Sequence, residues 1–122
     1  MKVTAKKNEQ VANMIFGSIY PHYLNRIVKN GRTKEDLDTV IEWLTGYNHK
    51  ILQKLIDEKV TFRTFFEKAK MHPNSDLIKG VVCGYRVEEI EDEFIIYKQC
   101  RQLEKLVDEL AKGRKMEKIL RA

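Results

Sequence analysis

The sequence predicts an all-α, or mainly α, protein: a compact single domain of five to seven short helices. Three observations carry that expectation. Apolar residues recur at i, i+3 and i+4 in five separate stretches. Side chains that cap helices, Thr33, Asn48, Thr61, Ser75 and Asp92, stand just ahead of such stretches. Gly31, Gly46 and Gly113 stand just after them, where a left-handed residue stops a helix. A chain of 122 residues suffices for one domain and leaves no room for a second. The expected organisation is therefore one helical domain over 1–122, with a basic N-terminal tail at 1–8.

From about Asn8, the residues Val11, Met14, Ile15, Ser18 and Ile19, then Leu24, Ile27 and Val28, follow helical spacing. Pro21 interrupts them. A proline lacks the amide donor and crowds the preceding turn, so the helix is expected either to kink there or to end near Tyr20, with a second helix starting at Pro21. Asn30-Gly31 closes the segment. Thr33 and Asp36 have capping-box spacing, and the acids that follow Thr33 suit the positive end of a helix. Leu37, Val40, Ile41 and Leu44 then mark the clearest helix of the chain, stopped by Gly46. Asn48 caps the next, with Ile51, Leu52, Leu55 and Ile56 inward, so the two form a helical hairpin with a very short turn. Thr61 caps a helix carrying Phe62, Phe65 and Phe66, which His72-Pro73 ends.

Ser75 precedes Leu77, Ile78, Val81, Val82 and Tyr85, whose spacing favours a helix, although the β-branched pairs leave a strand open. In a helix, Gly80 and Gly84 would share one face and permit close backbone packing. Asp92 caps a last long helix running to Lys112, with Ile96, Leu103, Leu106, Val107 and Leu110 inward and Gly113 as its stop. Met116, Ile119 and Leu120 make a final amphipathic turn or two.

With 43% hydrophobic and 34% charged residues the chain has enough apolar content to fold. No run reaches the roughly 18–20 apolar residues of a membrane helix. The start, MKVTAKKNEQ, is not followed by an apolar stretch of signal-peptide type, and a soluble, cytoplasmic protein is expected. Two cysteines, Cys83 and Cys100, are too few for a disulfide framework, and both are expected reduced and mostly buried as small apolar groups. The net charge of +5 is unevenly spread: +6 over residues 1–34, −4 over 35–100 and +3 over 101–122. If the basic ends met, they would present a positive face to phosphate.

The stretches SIYPHYLNRIVKNGRTKEDLDTVIEWLTGY (18–47), FRTFFEKA (62–69), LIKGVVCGYRVEEIED (77–92) and QLEKLVDELAKGRKMEKILR (102–121) together resemble a family of small bacterial proteins, the domain of unknown function numbered twenty-two hundred. The resemblance spans about residues 14–121. Members of that family place a proline after the EEIED segment, where this chain has Glu93, so the start of the last long helix is expected to differ. The resemblance implies a stand-alone cytoplasmic bacterial domain and carries over no activity, cofactor or catalytic residue.

Side chains capable of chemistry are few. His22, His49 and His72 are far apart and in no metal-ligand spacing, and no Walker, GxGxxG or GxSxG pattern occurs. No metal, cofactor or catalytic residue is therefore assigned. Asp36, Asp38 and Glu42 share a polar helical side, and Glu88 to Glu93 form an acidic run; both read as solvated surface. The most suggestive group is Tyr20, His22 and Tyr23 around Pro21, with Arg32, Trp43 and Tyr47. A break in a helix exposes backbone, and aromatic side chains with polar tips beside it can line a pocket.

Three functions follow from these features. The leading expectation is a structural or interaction module without catalysis, self-associating through an apolar helix face; the partner is unknown, a homo-oligomer or nucleic acid is possible, and a membrane is excluded. The first alternative is non-specific nucleic-acid binding through the basic termini, with Lys29, Arg32, Lys112, Arg114 and Lys115 on phosphates, joined by Lys2, Lys6, Lys7, Arg26 and Lys118. The hairpin 33–45 and 48–58 resembles a helix-turn-helix, but its second helix offers only Asn48, His49 and Lys50 for base reading in its first turn. The second alternative is a small enzyme or ligand-binding protein with a pocket at Pro21, with His22 as acid or base and Tyr20, Tyr23 or Arg32 orienting the ligand.

Overall fold

The computed structural model describes residues 2–121, so the two terminal residues of the expected 1–122 domain lie outside it. Seven α-helices form among the described residues: α1 (Ala5–Ala12), α2 (Phe16–Val28), α3 (Lys34–Thr45), α4 (His49–Asp57), α5 (Phe62–Glu67), α6 (Ile95–Ala111) and α7 (Met116–Ile119). Between α5 and α6 lie short 3-10 turns and a minimal hairpin, β1 (Val81–Val82) and β2 (Tyr85–Arg86). The chain is mainly α, and no helix among the described residues is long and apolar enough to cross a membrane.

The α6 helix is the axis of the fold. It packs against α1, α2, α3, α5 and α7 and buries Leu103, Leu106, Val107 and Leu110, and α2 turns Phe16, Tyr20, Tyr23 and Ile27 inward at helical spacing. Aromatic packing fills the layer beside it. Phe16 stacks on Phe65 at a centroid distance of 4.0 Å, with the Phe62 ring edge-on at 5.7 Å. Offset and edge contacts of this kind contribute beyond the area they bury.

The local signals that are closed within a few residues are realised. Thr33 accepts from the Asp36 amide while the Asp36 side chain accepts from the Thr33 amide, completing the box. Asn48 and Thr61 accept from the Ile51 and Thr64 amides, and Gly46 is left-handed at φ 77°. The last carbonyls of α3 are satisfied at long range: Leu44 and Thr45 accept from the amides of His72 and Lys70. This stitch draws residues 68–72 away from helical geometry, so α5 ends at Glu67 rather than running on to His72-Pro73.

Five expectations are corrected. The helix break falls at 13–15 and not at Pro21. Thr4 caps α1, so residues 5–8 are helical instead of tail, and an antiparallel bridge between Ile15 and Thr61 holds the link, with Phe16 N–H on the Val60 carbonyl at 3.0 Å and Phe62 N–H on the Met14 carbonyl at 2.9 Å. Pro21 stands in the second turn of a continuous α2 and is exposed, so the Gly17 carbonyl that loses its donor lies beneath a solvent-facing ring.

The segment 77–90 is not a helix. It is a hairpin whose two-residue turn, Cys83-Gly84, has both residues at positive φ, 52° and 82°. Such turns match the right-handed twist of paired strands. Cys83 is therefore at an exposed tip, and Cys100 alone of the two thiols is buried. Finally, Asp92 belongs to a 3-10 turn, Asp92–Phe94, and α6 begins after it at Ile95 without a side-chain cap.

Candidate functional site

The six residues grouped around Pro21 are distributed over separate environments. Spacing decides this, since positions 20, 23 and 27 turn into the core while position 22 points to solvent. Tyr20 donates to Asp38 Oδ1, Lys34 holds Asp38 Oδ2 at 2.7 Å, and burial together with the Asp38 hydrogen bond pushes Tyr20 up to about 12. His22 forms no hydrogen bond or ion pair among the described residues. Trp43 stacks on His72 at 4.3 Å, and Tyr47 donates to the Phe65 carbonyl at 2.6 Å, its own pKa pushed up to about 12 by burial. Tyr23 is buried against α6. Arg32 lies at the far end of α2, in a different setting.

That setting is where charge converges. The Arg32 guanidinium donates to the carbonyl of Arg114, 82 positions away, and so joins the loop after α2 to the α6–α7 connection. Two buried carboxylates at the end of α6 organise the cations around them. Asp108 takes Arg26 at 2.5 Å, Lys112 at 3.0 Å and Lys105 at 3.8 Å. Glu109 takes Arg114 at 3.0 Å and Arg121 at 2.7 Å. A carboxylate in the last turn of a helix faces the negative end of the helix dipole, and buried charge without a partner is costly, so cations are needed there.

They arrive in excess. Asp36, Asp108 and Glu109 are outnumbered by the cations paired with them, Arg26, Arg32, Lys105, Lys112, Arg114 and Arg121. Lys29, Lys115 and Lys118 are exposed and make no ion pair among the described residues. The structure brings Arg26 and Lys112 to one carboxylate and Arg32 to the Arg114 carbonyl, with Lys29 and Lys115 near these residues along the chain. It sets the N-terminal lysines apart: the Tyr97 amide, near the start of α6, donates to Asn8 Oδ1, and Lys7 donates to the Tyr85 hydroxyl at 2.8 Å. The 17-residue α6, roughly 25 Å long at 1.5 Å per residue, separates the two groups.

Sequence reasoning missed Asp108 and Glu109. The signal that marks them is an acid pair in the last turn of a helix, followed at once by Lys112, Arg114 and Lys115. No cluster of three or more His, Cys, Asp or Glu among the described residues is placed to hold a metal ion.

The architecture has a counterpart among solved structures. The crystal structure of uncharacterized protein SP1917 superposes with a TM-score of 0.83 at 34% identity, covering 92% of this chain and 91% of that one. A comparison with curated protein sequences gives no match. The family model described as an uncharacterized protein conserved in bacteria matches residues 10–121, nearly the full length, and with the fold in agreement the chain belongs to the DUF2200 family.

Proposed function

We propose that the protein is a non-catalytic interaction module that binds a polyanion, nucleic acid foremost, through the face formed by the C-terminal ends of α2 and α6. The observation that carries this reading is the Arg32 bond to the Arg114 carbonyl, which draws two basic segments into one surface. Paired cations keep their side chains in fixed geometry, while Lys29, Lys115 and Lys118 are exposed and make no ion pair among the described residues, which leaves them for phosphate. A self-associating apolar face is less well supported. The exposed large apolar side chains Val28, Ile51, Leu77, Val81 and Ile95 lie on five different elements, Met14 lies in the link between α1 and α2, and together they make no helix stripe.

Fluorescence anisotropy of labelled duplex DNA and single-stranded RNA tests the proposal. Each phosphate contact on duplex DNA contributes a slope of about 0.9 in log affinity against log salt. Three contacts therefore predict about 40-fold weaker binding at roughly 200 mM than at 50 mM salt. Charge reversal at Lys29, Lys115 and Lys118 together should abolish the salt-dependent binding, whereas reversal at Lys2 and Lys6 should leave it unchanged. No binding to either nucleic acid at the lower salt would overturn the reading.

A further inference from the structure

Away from the basic face, the N-terminal half of α6 borders a cleft that polyanion binding does not use. It encloses about 190 Å³. For scale, an apolar cavity of about 150 Å³ in another protein holds benzene. One wall is apolar, made by Val11, Met14, Ile19 and Phe62, and the other carries Tyr23, Arg101 and Glu104.

The polar side of this cleft has an unusual balance of donors and acceptors. Arg101 donates to Glu104 Oε2 and to the Tyr97 hydroxyl, the latter at 2.9 Å. Glu104 Oε1 in turn accepts from the Cys83 thiol at 2.8 Å, so both carboxylate oxygens are engaged. Two donors remain. The Arg101 Nε is buried with no partner, and the Tyr23 hydroxyl, on a residue 9% exposed that lines the cleft, makes no hydrogen bond among the described residues and is not fully shielded from solvent. The hydroxyl of a largely buried tyrosine ordinarily finds a partner, and here the cleft is the side from which one can reach it. Burial holds Tyr23 protonated, so it is available as a donor.

Charge selects further among occupants. A carboxylate would sit beside Glu104 and an ammonium beside Arg101, while the Arg101–Glu104 pair is neutral as a unit. Such a lining suits an acceptor without charge, attached to an apolar body. We propose that the cleft is a binding site for a small uncharged carbonyl compound, its oxygen accepting from Tyr23 and its apolar body lying against Val11, Met14, Ile19 and Phe62.

Three probes of matched size test this: phenylacetamide, phenylacetate and phenethylammonium, titrated into the full-length protein and followed by amide NMR shifts. Phenylacetamide should bind with millimolar affinity, shift residues of 11–23 and 100–104, and be insensitive to salt. The two charged probes should bind at least about fivefold more weakly, and Tyr23→Phe should weaken the amide three- to tenfold, the loss of one neutral hydrogen bond. Met14→Trp, at a half-exposed position where the fold tolerates bulk, should fill the cleft and abolish binding. Equal affinity for the three probes, amide binding unchanged in Tyr23→Phe and Met14→Trp, or no shift at the highest soluble amide concentration would overturn the proposal. Nucleic-acid binding should be the same in both variants, so failure here leaves the basic face unaffected.

Discussion

The Tyr20 hydroxyl on α2 donates to the buried carboxylate of Asp38 on α3, whose other oxygen is held by Lys34 one turn earlier. One acid therefore ties two helices together. Tyr20→Phe leaves Asp38 Oδ1 short of its donor inside the α2–α3 contact. The expected loss is about 1–3 kcal/mol of unfolding free energy, read from urea denaturation with an unchanged slope.

Alkaline pH should dissolve the fold through its phenols. Burial holds Tyr20 and Tyr47 up to about 12 and pushes Tyr23 and Tyr97 up as well, whereas the Lys7 hydrogen bond pulls Tyr85 down. A phenol with a folded pKa above its unfolded value of about 10 is protonated more tightly in the native state. Its contribution to stability is complete below about pH 10 and is lost as pH rises through about 12. Phenolate absorbance should thus appear in two stages, Tyr85 while the circular dichroism is still native, then the remaining four of the five tyrosines with unfolding. Lys7→Met should delay the first stage. Five tyrosines titrating together in a folded protein would contradict this account.

Phe65 is fully buried between the Phe16 ring and the edge of Phe66. Phe65→Ala should cost about 3–5 kcal/mol through lost transfer energy and the cavity left behind. Thermal unfolding followed by circular dichroism measures it. Phe65→Leu should cost well under half as much.

Gly46 and Gly113 both end helices in the left-handed region, at φ 77° and 79°, but they differ in their surroundings. A Cβ at Gly46 would stand 2.9 Å from the Lys70 carbonyl oxygen, next to the Lys70 amide that bonds Thr45. A Cβ at Gly113 would meet nothing within 4 Å. Gly113→Ala should cost about 1 kcal/mol, the conformational penalty alone. Gly46→Ala should cost at least about twice that, because backbone must also shift. Equal melting-temperature shifts for the two variants would rule out the Lys70 contact as the cause.

Legibility followed the distance over which each signal closes. The Thr33–Asp36 box, the Asn48 and Thr61 caps and the Gly46 stop are each complete within a few residues, and the structure contains them as read. Pro21 was misleading because its cost depends on whether its ring faces solvent, which neighbouring helices decide. The 77–90 segment satisfies both periods: Ile78, Val82 and Tyr85 are inward by helical spacing and are also buried around the actual hairpin. Cys83 at a positive-φ turn position, where Asn or Gly is usual, hid that turn. At the candidate face, Lys29, Arg32, Lys112, Arg114 and Lys115 were legible as charge. Their meeting was not, because it depends on Arg32 reaching a backbone carbonyl 82 positions away.

The helix α6 is the axis of the fold, yet α1, α2, α3 and α5 all precede it in the chain. Before it docks, each of those helices lacks the partner against which it packs most extensively. The decisive contacts thus close large loops, the one between α1 and α6 spanning about ninety residues, so ordering entropy is spent before most of the burial returns it. Folding should be slow for a helical protein of this size, nearer to mixed α/β domains than to bundles assembled from neighbours.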